Sequence, residues 1–566
     1  MGRVDEPAGE ARPERRPRAR VQWRHLRTAS VAAVLVAVVG AAMVVWFVTR
    51  STESATPSTH VPSTTRASAA PATPPARVCG DSALLDGPSS PPAGAVAVGT
   101  SQDLGKVTKR HPGNTTFWLA PGVHRLGTEY YDQVLPKTGN TYIGAPGAVL
   151  DGQRRNRFAF VGYAEKVTIR HLTVQNFGWR GSNSDEGIIN HDSGADWLVE
   201  RNTVQWNAGA GVMLGSRNTL RTNCLRENGQ YGFSAYHPEK IVDVIVEDNE
   251  IADNNVDDWE RRRPGCGCSG GGKFWMVTDA VVSGNWVHGN KNAGLWMDTN
   301  NAGFSIERNY IADNDAEGIL YEASYNAAIR DNTLVRNGRV RGPHNGAFPT
   351  GAIYVSESGS DRRVRTAFAD SFEITGNVFE DNWSGVILWE NADRFAGSDA
   401  NPGMNMSTRV NPDVTARSCN KDNIAKKPYI DDCRWKTQNV RVHGNEFTFS
   451  PRAVGKNCVL TKGCGYNGMF ANWGTFPKWS PYQRDAVQDR LAYEQDNLFS
   501  ANTYAGPWYF LAHGQGNRVS WATWQSAPYS QDTDSVIKPG AEVGRCARDD
   551  LAGQQCRSSS PRQTGD

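Results

Sequence analysis

A short pattern recurs along the middle of this chain and limits what it can become. VERNTV (199–204), LRTNCL (220–225), VEDNEI (246–251), VSGNWV (282–287), IERNYI (306–311), IRDNTL (329–334), ITGNVF (374–379) and VHGNEF (442–447) all read apolar-x-x-Asn-x-apolar. The asparagines stand at 202, 223, 249, 285, 309, 332, 377 and 445, with clean spacings of 21, 26, 24 and 23 residues where no loop intervenes; FSANTY adds Asn502. Five residues later a second Asn usually follows, at Asn207, Asn228, Asn254, Asn290, Asn314, Asn337 and Asn382. A Gly then opens a short apolar run, as in GVML from 211, GFSA from 232, GLWM from 294 and GIL from 318. A unit this short cannot enclose a core alone, so the repeat predicts a stack in which each coil covers its neighbour's apolar face.

Short strands with period-2 side chains would alternate between the interior of the stack and solvent, with Asn and Gly tolerating left-handed backbone at the corners. Coils about 4.8 Å apart let buried Asn side chains ladder from one to the next. Leucine-rich repeats share the period, but their L-x-x-L-x-L run and helical segments do not occur here. Length changes meaning accordingly: at about 150 residues each, 566 residues suggest three or four globular domains, whereas a solenoid uses several hundred as one.

These coils resemble the right-handed parallel β-helix proteins of the pectin-lyase-like superfamily, over roughly residues 95–530. FWLAPGVHRLG (117–127) followed by LPKTGNTYIGAPGAVLDG (135–152) is similar to the opening coil of such solenoids, and VTIRHLTVQNFG (167–178) continues it with Leu172 at the ladder position. DNLFSANTY, GPWYF and VSWATWQSAPYSQDTDS read as the last coils, with Trp508, Trp521 and Trp524 closing the end. The resemblance implies an all-β, right-handed parallel β-helix. It leaves activity open, because lyases, hydrolases, epimerases and non-catalytic surface proteins share the architecture.

Ahead of the repeat, the segment from Thr28 to Thr49 is apolar and uncharged for about twenty residues, enough to cross a ~30 Å hydrocarbon core. Seven arginines lie between Arg12 and Arg27 and only Arg50 follows closely, which predicts a single-pass helix with a cytoplasmic N-terminus and an extracytoplasmic remainder. A cleaved signal peptide would carry a shorter apolar core and a small-residue cleavage site, whereas this run ends in WFVTR. The expected layout is a basic cytoplasmic tail (1–27), a transmembrane helix (28–49), a Ser/Thr/Pro/Ala-rich linker (50–78), the β-helix (79–530) and a polar tail (531–566). The net charge of +2 divides into +5 for residues 1–50 and −3 for the rest, which argues against a basic nucleic-acid groove.

All ten cysteines lie beyond the apolar segment, so disulfides in an oxidising compartment are expected. Cys419/Cys433, Cys458/Cys464 and Cys546/Cys556 are spaced to close loops. Cys266 and Cys268 could serve as metal ligands, although no His stands near them.

Counting eight residues from the second Asn of a coil gives Gly215, Tyr236, Asp298, Glu322 and Glu390. Asp298 and Glu322 belong to consecutive coils, which predicts carboxylates about 5 Å apart. Glu357 offers a further acid near the line, and His237, His191 and Asp192 extend it. Such a pair suits a retaining glycosidase, a Ca²⁺ ion bridging a uronate, or proton abstraction beside a carboxylate with Lys273, His237 or Tyr236 as base. Trp275, Trp296 and Trp389 lie on or beside the same strands and offer stacking faces. The catalytic candidates are therefore Asp298, Glu322, Lys273 and His237; the substrate-contacting ones are Trp275, Trp296, Trp389, Glu390, Glu357 and Tyr236. Each also has an ordinary reading as a turn residue, surface charge or core filler.

The leading expectation is a monomeric, membrane-anchored protein that binds, and cleaves or modifies, a polysaccharide or cell-wall glycan. No cofactor is demanded, Ca²⁺ being a candidate. The alternative is a non-catalytic carbohydrate-binding or adhesion module. Asp298 and Glu322 opening into one groove beside Trp and Lys273 would favour the enzyme, and pairing of either with Arg the binder.

Overall fold

The computed structural model describes residues 69–538, apart from 180–186, 400–410, 473–477 and several shorter stretches. The apolar segment 28–49, most of the linker, Cys546 and Cys556 lie outside the described residues. Among those described, no helix is long and apolar enough to cross a membrane.

The coils build three sheets. The first has 13 strands, from Val96–Val98 to Leu498–Ser500; the second has 13, from Gly122–Arg125 to Val536–Ile537; the third has 10, from Val212–Leu214 to Arg518–Val519. Neighbours pair in parallel and in register, as where Thr219–Arg221 lies between Leu198–Glu200 and Ile245–Glu247. Only the last pair of the third sheet, Tyr509–Gly514 with Arg518–Val519, is antiparallel among the described strands. This all-β solenoid fits a right-handed parallel β-helix. Its last strand, 536–537, pairs with Thr503–Ala505, so the coils continue past the expected boundary at 530.

Alternation decides what fills the stack. Inward positions carry Ile, Val, Leu and Phe, and aromatic columns cross coils, as in Phe233, Phe274, Phe304, Tyr321 and Phe372 with successive centroids 4.9–6.2 Å apart. The repeated asparagines form two continuous ladders. From Asn202 through Asn223, Asn249, Asn285, Asn309, Asn332, Asn377 and Asn445 to Asn502, each side-chain amide donates to the next Oδ1 at 2.9–3.1 Å. A second ladder runs from Asn207 to Asn382 at 2.9–3.0 Å. Leu172 precedes the first ladder and donates its backbone N–H to Asn202 Oδ1 at 3.1 Å.

The left-handed corner is not at the ladder Asn itself. It falls one residue earlier, at Arg201, Thr222, Asp248, Gly284, Arg308, Asp331, Gly376, Gly444 and Ala501, all with φ between 49° and 66°. The Asn side chain turns inward to satisfy buried backbone carbonyls, while the preceding residue absorbs the turn.

Residues 71–88 form a strap that crosses the second sheet against the direction of stacking and ends on the first. Pro71 accepts from Thr333 Oγ1 at 2.6 Å, and the backbone N–H groups of Val78 and Cys79 donate to the buried Glu250 carboxylate at 2.8 and 2.7 Å. Further along, Leu85 O meets His171 Nδ1 at 3.0 Å, and Pro88 O accepts from Trp118 Nε1 at 3.0 Å. The C-terminal part of the linker is thus folded onto the coils, because its backbone satisfies groups on the outer face of the sheet.

Cys79–Cys224 fixes the strap, and Cys266–Cys268, Cys419–Cys433 and Cys458–Cys464 close local loops. Cys266 and Cys268 are therefore a disulfide rather than thiolate metal ligands.

Candidate functional site

The outer face of the third sheet gathers most of the predicted residues. Its strands Phe233–Ala235, Gly272–Phe274, Leu295–Met297 and Ile319–Glu322 align Lys273 with Trp296 and Trp296 with Leu320. One residue beyond the paired strands, the backbone N–H of Trp275 donates to Ala235 O and that of Asp298 to Phe274 O, at 3.0 and 2.9 Å. This continues the register into an outward row of Tyr236, Trp275, Asp298 and Glu322. Asp298 and Glu322 stand on neighbouring coils about 4.8 Å apart, opening to one face.

Both carboxylates carry a cation partner. Lys273 Nζ lies 2.7 Å from Asp298 Oδ2 and 4.1 Å from the centre of the Trp296 ring, and it also donates to Gly267 O. Thr299 adds its N–H and hydroxyl to Asp298 Oδ1 at 2.7 and 2.9 Å. Burial pushes the Asp298 carboxyl upward, but the Lys273 ammonium and the Thr299 donors outweigh it and hold it below its usual range. Trp296 Nε1 donates to Glu322 Oε2 at 3.2 Å, while Arg394 binds Glu322 Oε1 and reaches Glu357 at 3.1 Å. The geometry meets both tests in part: the two carboxylates share one outward face with Trp296 and Lys273, and an Arg binds Glu322.

Two predicted acids lie elsewhere. In register, Glu322 is followed by Ser356 and then Trp389, so Glu357 and Glu390 each fall one residue past the row. Both are 0% exposed. Glu357 accepts from Ser356 Oγ, the Asn391 N–H and Arg394, and its burial raises its pKa. Glu390 pairs with the equally buried Arg434 at 3.0 Å and accepts from the Thr437 N–H and Gln495. The count failed because the corner before Ser384–Asn391 is one residue shorter than the corner before Ile319–Glu322. Ile319 stands five residues after Asn314, but its aligned residue Val386 stands only four after Asn382.

His237 engages its own turn, its Nδ1 accepting from the Glu239 N–H at 3.1 Å, and among the described residues no contact joins it to Lys273 or Asp298. Tyr236 is 49% exposed, with its ring 5.0 Å from that of the half-buried Trp275. Trp389 packs into an aromatic cluster with Phe348 and Tyr354.

Sequence reasoning missed two groups. Arg394 comes from an insertion and reaches back 72 residues, with no signal to mark it. Glu317 precedes Gly318 at the opposite margin of the same coil, and burial pushes its carboxyl to about 7. Its place just before a Gly-opened strand was a readable signal.

Among the described residues no group of three or more His, Cys, Asp or Glu comes together as a metal site. The ammonium of Lys273 and the guanidinium of Arg394 stand where a Ca²⁺ would have to neutralise Asp298 and Glu322, so this donor set does not fit Ca²⁺. A hollow of about 570 Å³ lies apart on the first sheet, where Arg363, Glu373 and Arg441 pair with Asp361, His443 and Asp496.

Residues 186–367 match the family model described as a right handed beta helix region. No curated protein sequence matches the chain. Among solved structures, the chain is similar to the A-module of mannuronan C-5 epimerase AlgE4 from Azotobacter vinelandii, at 15% identity and a TM-score of 0.39, covering 78% of this chain and 91% of that one. It is also similar to the catalytic unit of a GH87 alpha-1,3-glucanase from Streptomyces thermodiastaticus, at 14% identity and a TM-score of 0.45, covering 81% and 70%. Pectate lyase Pel9A is similar at 13% identity and a TM-score of 0.30, covering 50% and 69%.

Proposed function

We propose that this chain is a carbohydrate-active β-helix that binds a polysaccharide along the outer face of the third sheet and modifies it there. The observation that carries the reading is the outward row of Tyr236, Trp275, Asp298 and Glu322, which sets aromatic faces beside two carboxylates on successive coils. Aromatic faces suit the apolar sides of sugar rings, and carboxylates accept hydroxyl donors. Asp298, held below its usual range, suits the ionised role in acid–base chemistry. Lys273, bound to Asp298 and to Gly267 O, is a positioning residue in this scheme.

The test is turnover by the purified full chain on a polysaccharide panel, read as new reducing ends and as absorbance near ~235 nm for an unsaturated product of proton abstraction. Asp298→Asn and Glu322→Gln should each lower turnover by about 100-fold or more while folding is retained. Unchanged turnover removes both from the chemistry. A second reading, a non-catalytic glycan-binding module, is favoured by the pairing of Glu322 with Arg394. It expects the same variants to weaken binding with no turnover to lose.

The segment 28–49 is further proposed to anchor the chain in the cell membrane with the β-helix outside. Four disulfides among the described residues support an oxidising compartment. Protection of the β-helix from added protease in intact cells would count against it.

A further inference from the structure

Two cations, Lys273 and Arg394, stand beside the outward carboxylates, and both are already matched. Lys273 is bound to Asp298 at 2.7 Å, and Arg394 is shared between Glu322 and Glu357 at 3.1 Å from the latter. At the opposite margin Arg341 is bound to Asp258 at 3.1 Å, and Glu317 beside it adds a carboxyl rather than a cation. Arg263, on the neighbouring loop, is exposed, where solvent and salt screen its charge. Neither cation is left over for a ligand: each is held by a carboxylate of the outward row, Asp298 or Glu322, and Arg394 also by the fully buried Glu357. A polymer bearing one carboxylate per sugar would have to displace these internal acids or lie against them unpaired, and either is costly in a partly desolvated site.

We propose that the groove takes a neutral glycan and discriminates against polyuronates, without a requirement for Ca²⁺. This rests on the reading of the groove as a polysaccharide site. The neighbouring Tyr236 and Trp275 rings, 5.0 Å apart and tilted by 36°, would hold the uncharged ring faces, and the carboxylate oxygens of Asp298 and Glu322 would accept sugar hydroxyls. Specificity then comes from the protein's own acids, which repel an anionic competitor as well as bind the neutral chain.

The experiment is affinity electrophoresis of the purified full chain in gels containing a neutral glucan, mannan or xylan, or polygalacturonate or alginate, each with and without Ca²⁺. The expected result is retardation by at least one neutral polymer, unaffected by Ca²⁺, with any dissociation constant for polyuronate at least about tenfold weaker. Equal or tighter polyuronate binding, or binding that appears only with Ca²⁺, overturns the substrate class and leaves the glycan reading standing. Retardation by none of the polymers overturns both. The double variant Asp298→Asn/Glu322→Gln frees Lys273 and leaves Arg394 to Glu357 alone, so it should gain polyuronate affinity by about tenfold. A cooperatively melting variant with no such gain counts against charge matching as the cause.

Discussion

Trp296 donates its indole N–H to Glu322 on the next coil at 3.2 Å, while the Lys273 ammonium of the preceding coil rests 4.1 Å from the centre of the same ring. One side chain thus touches both halves of the candidate site. Trp296→Phe keeps the ring and removes the donor. Affinity for the site's glycan should fall about 3- to 10-fold, the worth of one hydrogen bond of about 1 kcal/mol. Equal isotherms for Phe and Trp would show that the N–H does not orient Glu322.

Arg394 is the counter-charge of the fully buried Glu357. Arg394→Met should cost about 3–5 kcal/mol, because it strands a carboxylate in the interior. Adding Glu357→Gln should recover much of that loss. Urea denaturation of both variants checks it, and a mild single-variant effect would mean that Ser356 and the Asn391 N–H suffice.

Glu317 gives a pH test. Burial raises its carboxyl from 4.5 to about 7 in the folded chain, so the folded state holds this proton more tightly than the unfolded one. The protonated form carries no burial penalty at low pH; the penalty grows as pH rises from 4.5 through 7. Glu317→Gln should therefore be more stable than the parent above pH 7, by about 1–3 kcal/mol, with the difference vanishing toward pH 4. Stability curves that stay parallel across this range would disprove it.

The first Asn ladder ends on Asp532, which accepts from Asn502 Nδ2, Tyr504 OH and Trp524 Nε1 at 2.9, 2.8 and 2.8 Å. Asp532→Ala leaves three buried donors without this acceptor, a loss of about 3 kcal/mol. Amide exchange should accelerate in the last coils before the middle ones. Uniform acceleration would mean that the cap does not act locally.

Cys79–Cys224 closes a loop of 145 residues. Replacing both cysteines by Ser should lower stability by about 2–5 kcal/mol, and limited proteolysis should then cut the strap first. Unchanged cleavage sites would assign the strap's hold to its hydrogen bonds with Glu250.

Much of the fold was legible because the repeat is written in residues with one job each. Every ladder Asn falls in register, and the equal counts in two consecutive coils put Asp298 beside Glu322. Legibility ends where coils differ. One missing corner residue before Ser384 moved Glu390 from the outer row to the interior, since side-chain direction reverses with each residue of a strand. Arg394 and Cys79 act across long separations, where chain order carries no geometric information. The first part of the strap, 71–78, belongs to the expected linker because its Ala, Thr and Pro cannot form a core, yet its backbone can satisfy groups on a sheet that already has one.

That strap also decides how force would enter the molecule. Tension applied at residue 69 would first peel Pro71 from Thr333, one hydrogen bond at a time, and then Val78 from Glu250. Peeling stops at Cys79, where the bond to Cys224 is covalent. A pull would therefore be delivered to the flank of the solenoid at the coil of Cys224, leaving the opening coil and its first strand, Val96–Val98, out of the load path.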